Sequence, residues 1–147
     1  MASTSHVWDR ALHRGNAWLQ ELSGELGWDD RDATLLALRA VLHALRDRLT
    51  PNEAVQLAAQ LPLFLKGVYF DGWRPSATPV KLRDREAFLD QVRRPLIRGI
   101  PEADSEEVTR AVFKLLDDHV SGGEIADIRN MLPAEWGDLW PAASGLT

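Results

Sequence analysis

The sequence predicts an all-α fold built from two tandem four-helix units that share one core. Three observations carry that prediction: apolar residues recur at steps of three and four, no window alternates with period two, and the chain repeats itself at a shift of 71 residues. With 147 residues, 45% of them hydrophobic and 27% charged, the chain has the composition and length of a single globular domain.

Between Trp8 and Leu26, the residues Leu12, Trp18, Leu19, Leu22 and Leu26 fall on one stripe and predict the first helix. Asp30 to Leu49 predicts the second, with Leu35, Leu38, Val41, Leu42, Leu45 and Leu49 apolar. Asp29, Asp30 and Asp32 stand at its start, where the helix dipole favours carboxylates. Thr50-Pro51-Asn52-Glu53 reads as a capping box that opens a third helix over Ala54 to Leu61. Pro62 then starts a fourth, carrying Leu63, Phe64, Leu65, Val68, Tyr69 and Phe70. Residues 71–83 form a connector, because one glycine and two prolines lie within 71–79 and neither periodicity survives there.

Helicity resumes at Asp84 with Phe88, Leu89 and Val92. It is expected to kink or stop near Pro95, since a proline pushes its predecessor, Arg94, out of helical backbone. Ser105, followed by Glu106 and Glu107, reads as the cap of a helix carrying Val108, Ala111, Val112, Leu115 and Leu116. Ser121-Gly122-Gly123-Glu124 opens the next, a last short helix starts at Pro133, and residues 141–147 are expected to form a flexible tail.

The 71-residue shift lays Arg39-Ala40-Val41 on Arg110-Ala111-Val112, Leu45 on Leu116, Asp47 on Asp118, Glu53 on Glu124 and Leu61-Pro62 on Leu132-Pro133. Thr50 falls on Ser121, both expected N-caps, and a one-residue gap aligns Trp18-Leu19 with Phe88-Leu89. The units are therefore read as residues 8–70 and 84–140. Each is close to the lower size limit for independent folding, so they are expected to share a core.

The absence of cysteine excludes disulfides, thiolate catalysis and cysteine-rich metal sites. No apolar run approaches the roughly 20 residues of a membrane span, and Met1 to His6 lacks the pattern of a signal peptide, so a cytoplasmic protein without a membrane partner is expected. Three lysines against fourteen arginines suggest a high-GC bacterial source. Duplex nucleic acid is not expected as a partner, given the net charge of −5 and the lack of a groove-reading motif.

The stretch from Val7 to Arg98 also carries a resemblance, through Trp8-Asp9-Arg10, Leu38 to Leu49, Gln60-Leu61-Pro62 and above all Gly67-Val68-Tyr69-Phe70-Asp71-Gly72-Trp73-Arg74-Pro75, with Pro79 and Arg83 to Leu89 behind it. It is similar to the bacterial domain-of-unknown-function family numbered 2267, over nearly the whole chain. What the resemblance implies is a small bacterial helical protein. It brings no reaction, cofactor or catalytic residue with it.

Among the residues themselves, His6, His13, His43 and His119 form no close helical pair of the kind metal sites use. His43 with Asp47 at i, i+4 reads as a surface contact or a partly buried histidine, and Asp117-Asp118-His119 point to different faces. Glu53 and Glu124 are the tempting carboxylate pair, since the repeat relates them, but a capping box accounts for both. Ser121-Gly122-Gly123 lacks the glycine pattern and preceding strand of a nucleophile elbow or phosphate loop. Trp18, Trp28, Trp136 and Trp140 read as packing residues. No catalytic residue, cofactor or metal is expected.

The connector region stands apart. Residues 66–98 hold eight basic groups against four acids, a net of +4 that leaves −9 for the remainder. Its prolines restrict the backbone, and arginine beside tryptophan can hold a planar anion by fork geometry and stacking. Tyr69, Trp73, Arg74, Lys81 and Arg83 are accordingly the candidate contact set. The function expected is a non-catalytic binding or interaction module, a stress-related accessory protein in broad terms, engaging a protein partner, a second copy or a small anion. The alternatives are an enzyme or small-anion-binding protein with its site near the connector, or a connector that is merely a packed seam.

Overall fold

A computed structural model describes residues 2–142. Seven α-helices and two 3-10 segments follow in order: α1 (Ala2–Leu26), α2 (Arg31–Arg48), α3 (Pro51–Ala58), α4 (Leu63–Phe70), a 3-10 turn (Pro75–Ala77), α5 (Arg85–Gly99), α6 (Ser105–His119), α7 (Gly122–Met131) and a 3-10 segment (Ala134–Leu139). The all-α expectation holds, with no strand among the described residues. No helix there is long and apolar enough to cross a membrane. Of the expected tail, residues 143–147 lie outside the described residues.

The periodicity places the helices, and short polar side chains fix most of their ends. Asp30 accepts from the backbone N–H groups of Asp32 and Ala33, Asp84 from Ala87, Thr50 from Glu53 and Ser121 from Glu124. The cap of α6 is Asp104, which accepts from Glu106 and Glu107, and not Ser105, which is the first helical residue. α1 ends by a different device. Gly27 takes φ 71°, and the Trp28 N–H donates to the Ser23 carbonyl at 3.0 Å, a left-handed closing turn that only glycine adopts without strain.

α2 is the hub: it packs against α1, α4, α5 and α6, while α1 also packs on α6 and α3 on α7. Leu38, Val41, Leu42 and Leu45 of α2 are fully buried, and Leu22, Leu57, Tyr69, Phe88, Val92, Phe113, Leu116 and Trp136 join them in one continuous core. Burial of large apolar side chains of this kind contributes roughly 1.5–3 kcal/mol each. The tryptophan expectation also holds: Trp136, Trp140 and Trp18 are buried and Trp28 is half-buried. The pairings of α1 with α6, α2 with α5 and α3 with α7 are compatible with two tandem units exchanging contacts.

A further local expectation needs correction. α5 runs through Pro95 to Gly99 without a break. Phe88, Leu89 and Val92 before the proline and Leu96 after it are all buried, so packing on both sides holds the axis. The helix forfeits only the bond that an N–H at 95 would have given the Gln91 carbonyl. The last short helix does start at Pro133, which caps a 3-10 helix with Trp136 and Leu139 as its buried residues.

Candidate functional site

The connector lies on the C-terminal end of α2 and is tied there at both ends. At the near end, Arg46 Nη1 donates to the Tyr69 carbonyl at 2.7 Å and to the Asp71 carbonyl at 3.0 Å, while His43 Nε2 bonds the Val68 carbonyl at 2.7 Å. Together these groups satisfy carbonyls at the end of α4 that have no partner within the helix. At the far end, the Val80 N–H donates to the Asp47 carbonyl at 2.7 Å and Arg48 Nη1 donates to the Val80 carbonyl at 3.1 Å. Trp136 Nε1 then donates to the Arg83 carbonyl at 3.0 Å.

These contacts divide the sequence-predicted contact set. Tyr69 is fully buried, and its hydroxyl donates to the Ala54 carbonyl at 2.8 Å. Burial holds its phenol well above the usual range, so it is a core residue with no face for a partner. Trp73 is half-buried, packs on the core and lies 5.2 Å from Phe70 between ring centroids. Its indole Nε1 is shielded from solvent and has no acceptor among the described residues. Arg74, Lys81 and Arg83 are exposed, and none of them makes an ion pair among the described residues. The aromatic members therefore pack inward, and the basic members face outward.

Sequence reasoning missed Arg46 and Arg48. In the last turn of an amphipathic helix they read as ordinary solvated cations, yet both are buried. Burial, followed by the nearby charge of Arg83, lowers the Arg48 pKa, and its guanidinium also sits 5.5 Å from the Trp136 ring centroid. Both guanidiniums thus lie where the connector crosses the C-terminal end of α2.

A groove of about 240 Å³ runs between α2 and α5, where the small side chains of Ala40 and Ala44 face Gln91 and Pro95. Its bases are already engaged: Arg39 pairs with Asp71 at 2.8 Å, Arg46 with Asp47 at 2.8 Å and Arg94 with Asp90 at 3.3 Å. His43 has its pKa lowered, by burial first. Of the two readings of His43, the partly buried histidine is the one found; no contact with Asp47 is made, since each residue has another partner. Asp118 and His119 point apart, one to Lys114 and the other to Glu21.

The capping-box account of Glu53 and Glu124 also needs correction. The hydroxyl half of each box forms, but the carboxylate half does not close at Ser121. There the backbone N–H donates to Gln60 Oε1 at 2.8 Å, and Gln60 Nε2 donates to the Ser121 hydroxyl at 3.1 Å. Glu53 and Glu124, 6% and 7% exposed, instead approach each other between α3 and α7. Burial first, then the adjoining Glu53 carboxyl and its charge, push the Glu124 carboxyl up to about 8.

A search of the curated proteins finds no match to this chain. The family model described as "Uncharacterized conserved protein (DUF2267)" matches residues 15–139, which span all the helices and the connector apart from the start of α1. The chain belongs to the DUF2267 family.

Proposed function

We propose that this chain is a non-catalytic interaction module whose basic connector receives an acidic segment of a partner protein. One observation carries the reading: Arg74, Lys81 and Arg83 are exposed and without ion pairs among the described residues, although carboxylates outnumber basic side chains 22 to 17. The backbone behind these three is tied at Asp71, Val80 and Arg83, so docking orders little chain. An enzymatic reading has less behind it, since the α2–α5 groove falls below the roughly 300–1,000 Å³ of small-molecule pockets and its arginines are paired. The arginine bias favours a bacterial accessory protein as the setting.

The test is the double variant Arg74→Ala/Arg83→Ala, compared with the parent for binding of a polyglutamate peptide and of inorganic phosphate. Loss of peptide binding at a stability within about 1 kcal/mol of the parent supports the reading. A loss of about 2 kcal/mol or more in stability, with both titrations unchanged, would make these arginines seam residues and end it.

We also infer that residues 8–70 and 84–140 are related units. Related positions support it. Thr50 and Ser121 both cap, Leu65 and Tyr69 correspond to buried Trp136 and Trp140, and Gln60 and Met131 each reach the other unit's cap residue. Superposition of the two segments in an experimental structure tests this inference.

A further inference from the structure

We propose that Glu53, Glu124 and Asp127 form a site for a hard divalent cation of the Ca²⁺, Mg²⁺ or Mn²⁺ type, between the first turn of α3 and the first two turns of α7. One carboxylate oxygen from each residue lies within 4.8 Å of the others. Two oxygens at 2.0–2.6 Å from one ion stand at most about 4–5 Å apart, so oxygens this close can converge on one ion, most readily the larger Ca²⁺. The ligand set contains no sulfur or imidazole, which favours oxygen-seeking ions over zinc or copper.

A cluster of acids on a solvated surface would mean little, and this one differs in burial. Glu53 and Glu124 are more than nine-tenths buried, and Oε2 of each is cut off from solvent with no hydrogen-bond partner. Such an atom costs stability unless something meets it. Neither glutamate makes an ion pair among the described residues, and the backbone N–H that Glu124 would have taken as a cap is held by Gln60.

A single proton held between the two glutamates is the rival way to neutralise them, but it leaves Asp127 unexplained. Asp127 is exposed, one turn along α7 from Glu124, and its charge adds to the repulsion on Glu124. The other groups nearby are Tyr69 of α4, whose phenol feels the charges of both glutamates, and beyond it Arg46 and Asp47 of α2. Tyr69 already donates to Ala54, so it satisfies neither carboxylate.

The experiment uses the full chain, stripped with EDTA and titrated calorimetrically at pH 7.5 with MgCl₂, CaCl₂ and MnCl₂ in turn, with Mn²⁺ also followed by EPR. The expected result is one ion per chain, bound by at least one of the three metals with a Kd near or below about 1 mM, and a melting temperature that climbs with the logarithm of metal concentration. Asp127→Asn should weaken binding about tenfold, and Glu53→Gln/Glu124→Gln should abolish it. The double variant removes the repulsion and is expected to fold; should it fail, Asp127→Asn and Glu124→Gln carry the comparison. No binding of any of the three metals up to about 10 mM, or affinity unchanged in these variants, overturns the proposal. So does a stabilisation in Glu124→Gln that is accompanied by no metal-dependent shift in the parent, which would assign the pair to a shared proton.

Discussion

The guanidinium of Arg46 donates to the carbonyl of Tyr69 at 2.7 Å, so the charge that closes α4 comes from a different helix. The arrangement joins helix termination to tertiary structure, because α4 ends well only while α2 lies beside it. Arg46→Ala should therefore cost about 2–4 kcal/mol, since it strands the Tyr69 and Asp71 carbonyls and the Asp47 carboxylate together. Chemical denaturation read by circular dichroism measures the loss, and Arg46→Lys should recover only part of it, because an ammonium lacks the fork.

The Glu124 carboxyl, raised from the usual 4.5 to about 8, is protonated in the folded chain over a range where the unfolded chain has released its proton. The stability it contributes is fully present below about 4.5 and is lost as pH rises through about 8, with a steepest slope of about 1.4 kcal/mol per pH unit. His43 works in the opposite direction. Burial lowers its pKa from 6.5, so its contribution is lost as pH falls below about 6.5. Between pH 6.5 and 8.5 in EDTA, stability should fall for the parent and stay nearly flat for Glu124→Gln, as urea midpoints will report.

Gly27 closes α1 at φ 71° with open space where a side chain would stand. Gly27→Ala should thus lower stability by about 1 kcal/mol through backbone strain alone, with no clash to relieve. A melting-temperature drop of a few degrees, with unchanged helix content, is the expected reading.

Because α1 completes its packing on α6 and α2 on α5 and α6, the fragment 1–72 exposes Leu38, Val41 and Leu42 when made by itself. It should fail to unfold cooperatively as a monomer. Mixing it with 73–147 should restore helicity and a sharp transition.

The helices were legible because their signals are local: spacing sets the buried face, and Asp30, Thr50, Asp84 and Ser121 mark the starts. What stayed hidden depends on partners far away in the chain. Pro95 carries an unambiguous local message to stop, which burial of Val92 and Leu96 outweighs. Arg46 and Arg48 look like any basic last turn until the connector is laid over them. Glu53 and Glu124 had a sufficient local explanation as caps, and only the tertiary position of Gln60 removes it. For the candidate contact set, local composition found the segment, while burial decided which of its side chains face inward.

The connector is moored twice, once on each side of its exposed middle, and neither mooring depends on covalent continuity between them. Trypsin is discouraged at Arg74 by the following Pro75, but Lys81 is exposed and followed by leucine. A cut there leaves Val80 held by Asp47 and Arg48 on one piece, and Arg83 held by Trp136 on the other. Each mooring thus stays whole within its own piece, and the packing of α1 on α6, α2 on α5 and α3 on α7 spans the cut. The nicked molecule should therefore elute as one particle, two chains behaving as a single domain until denaturant parts them.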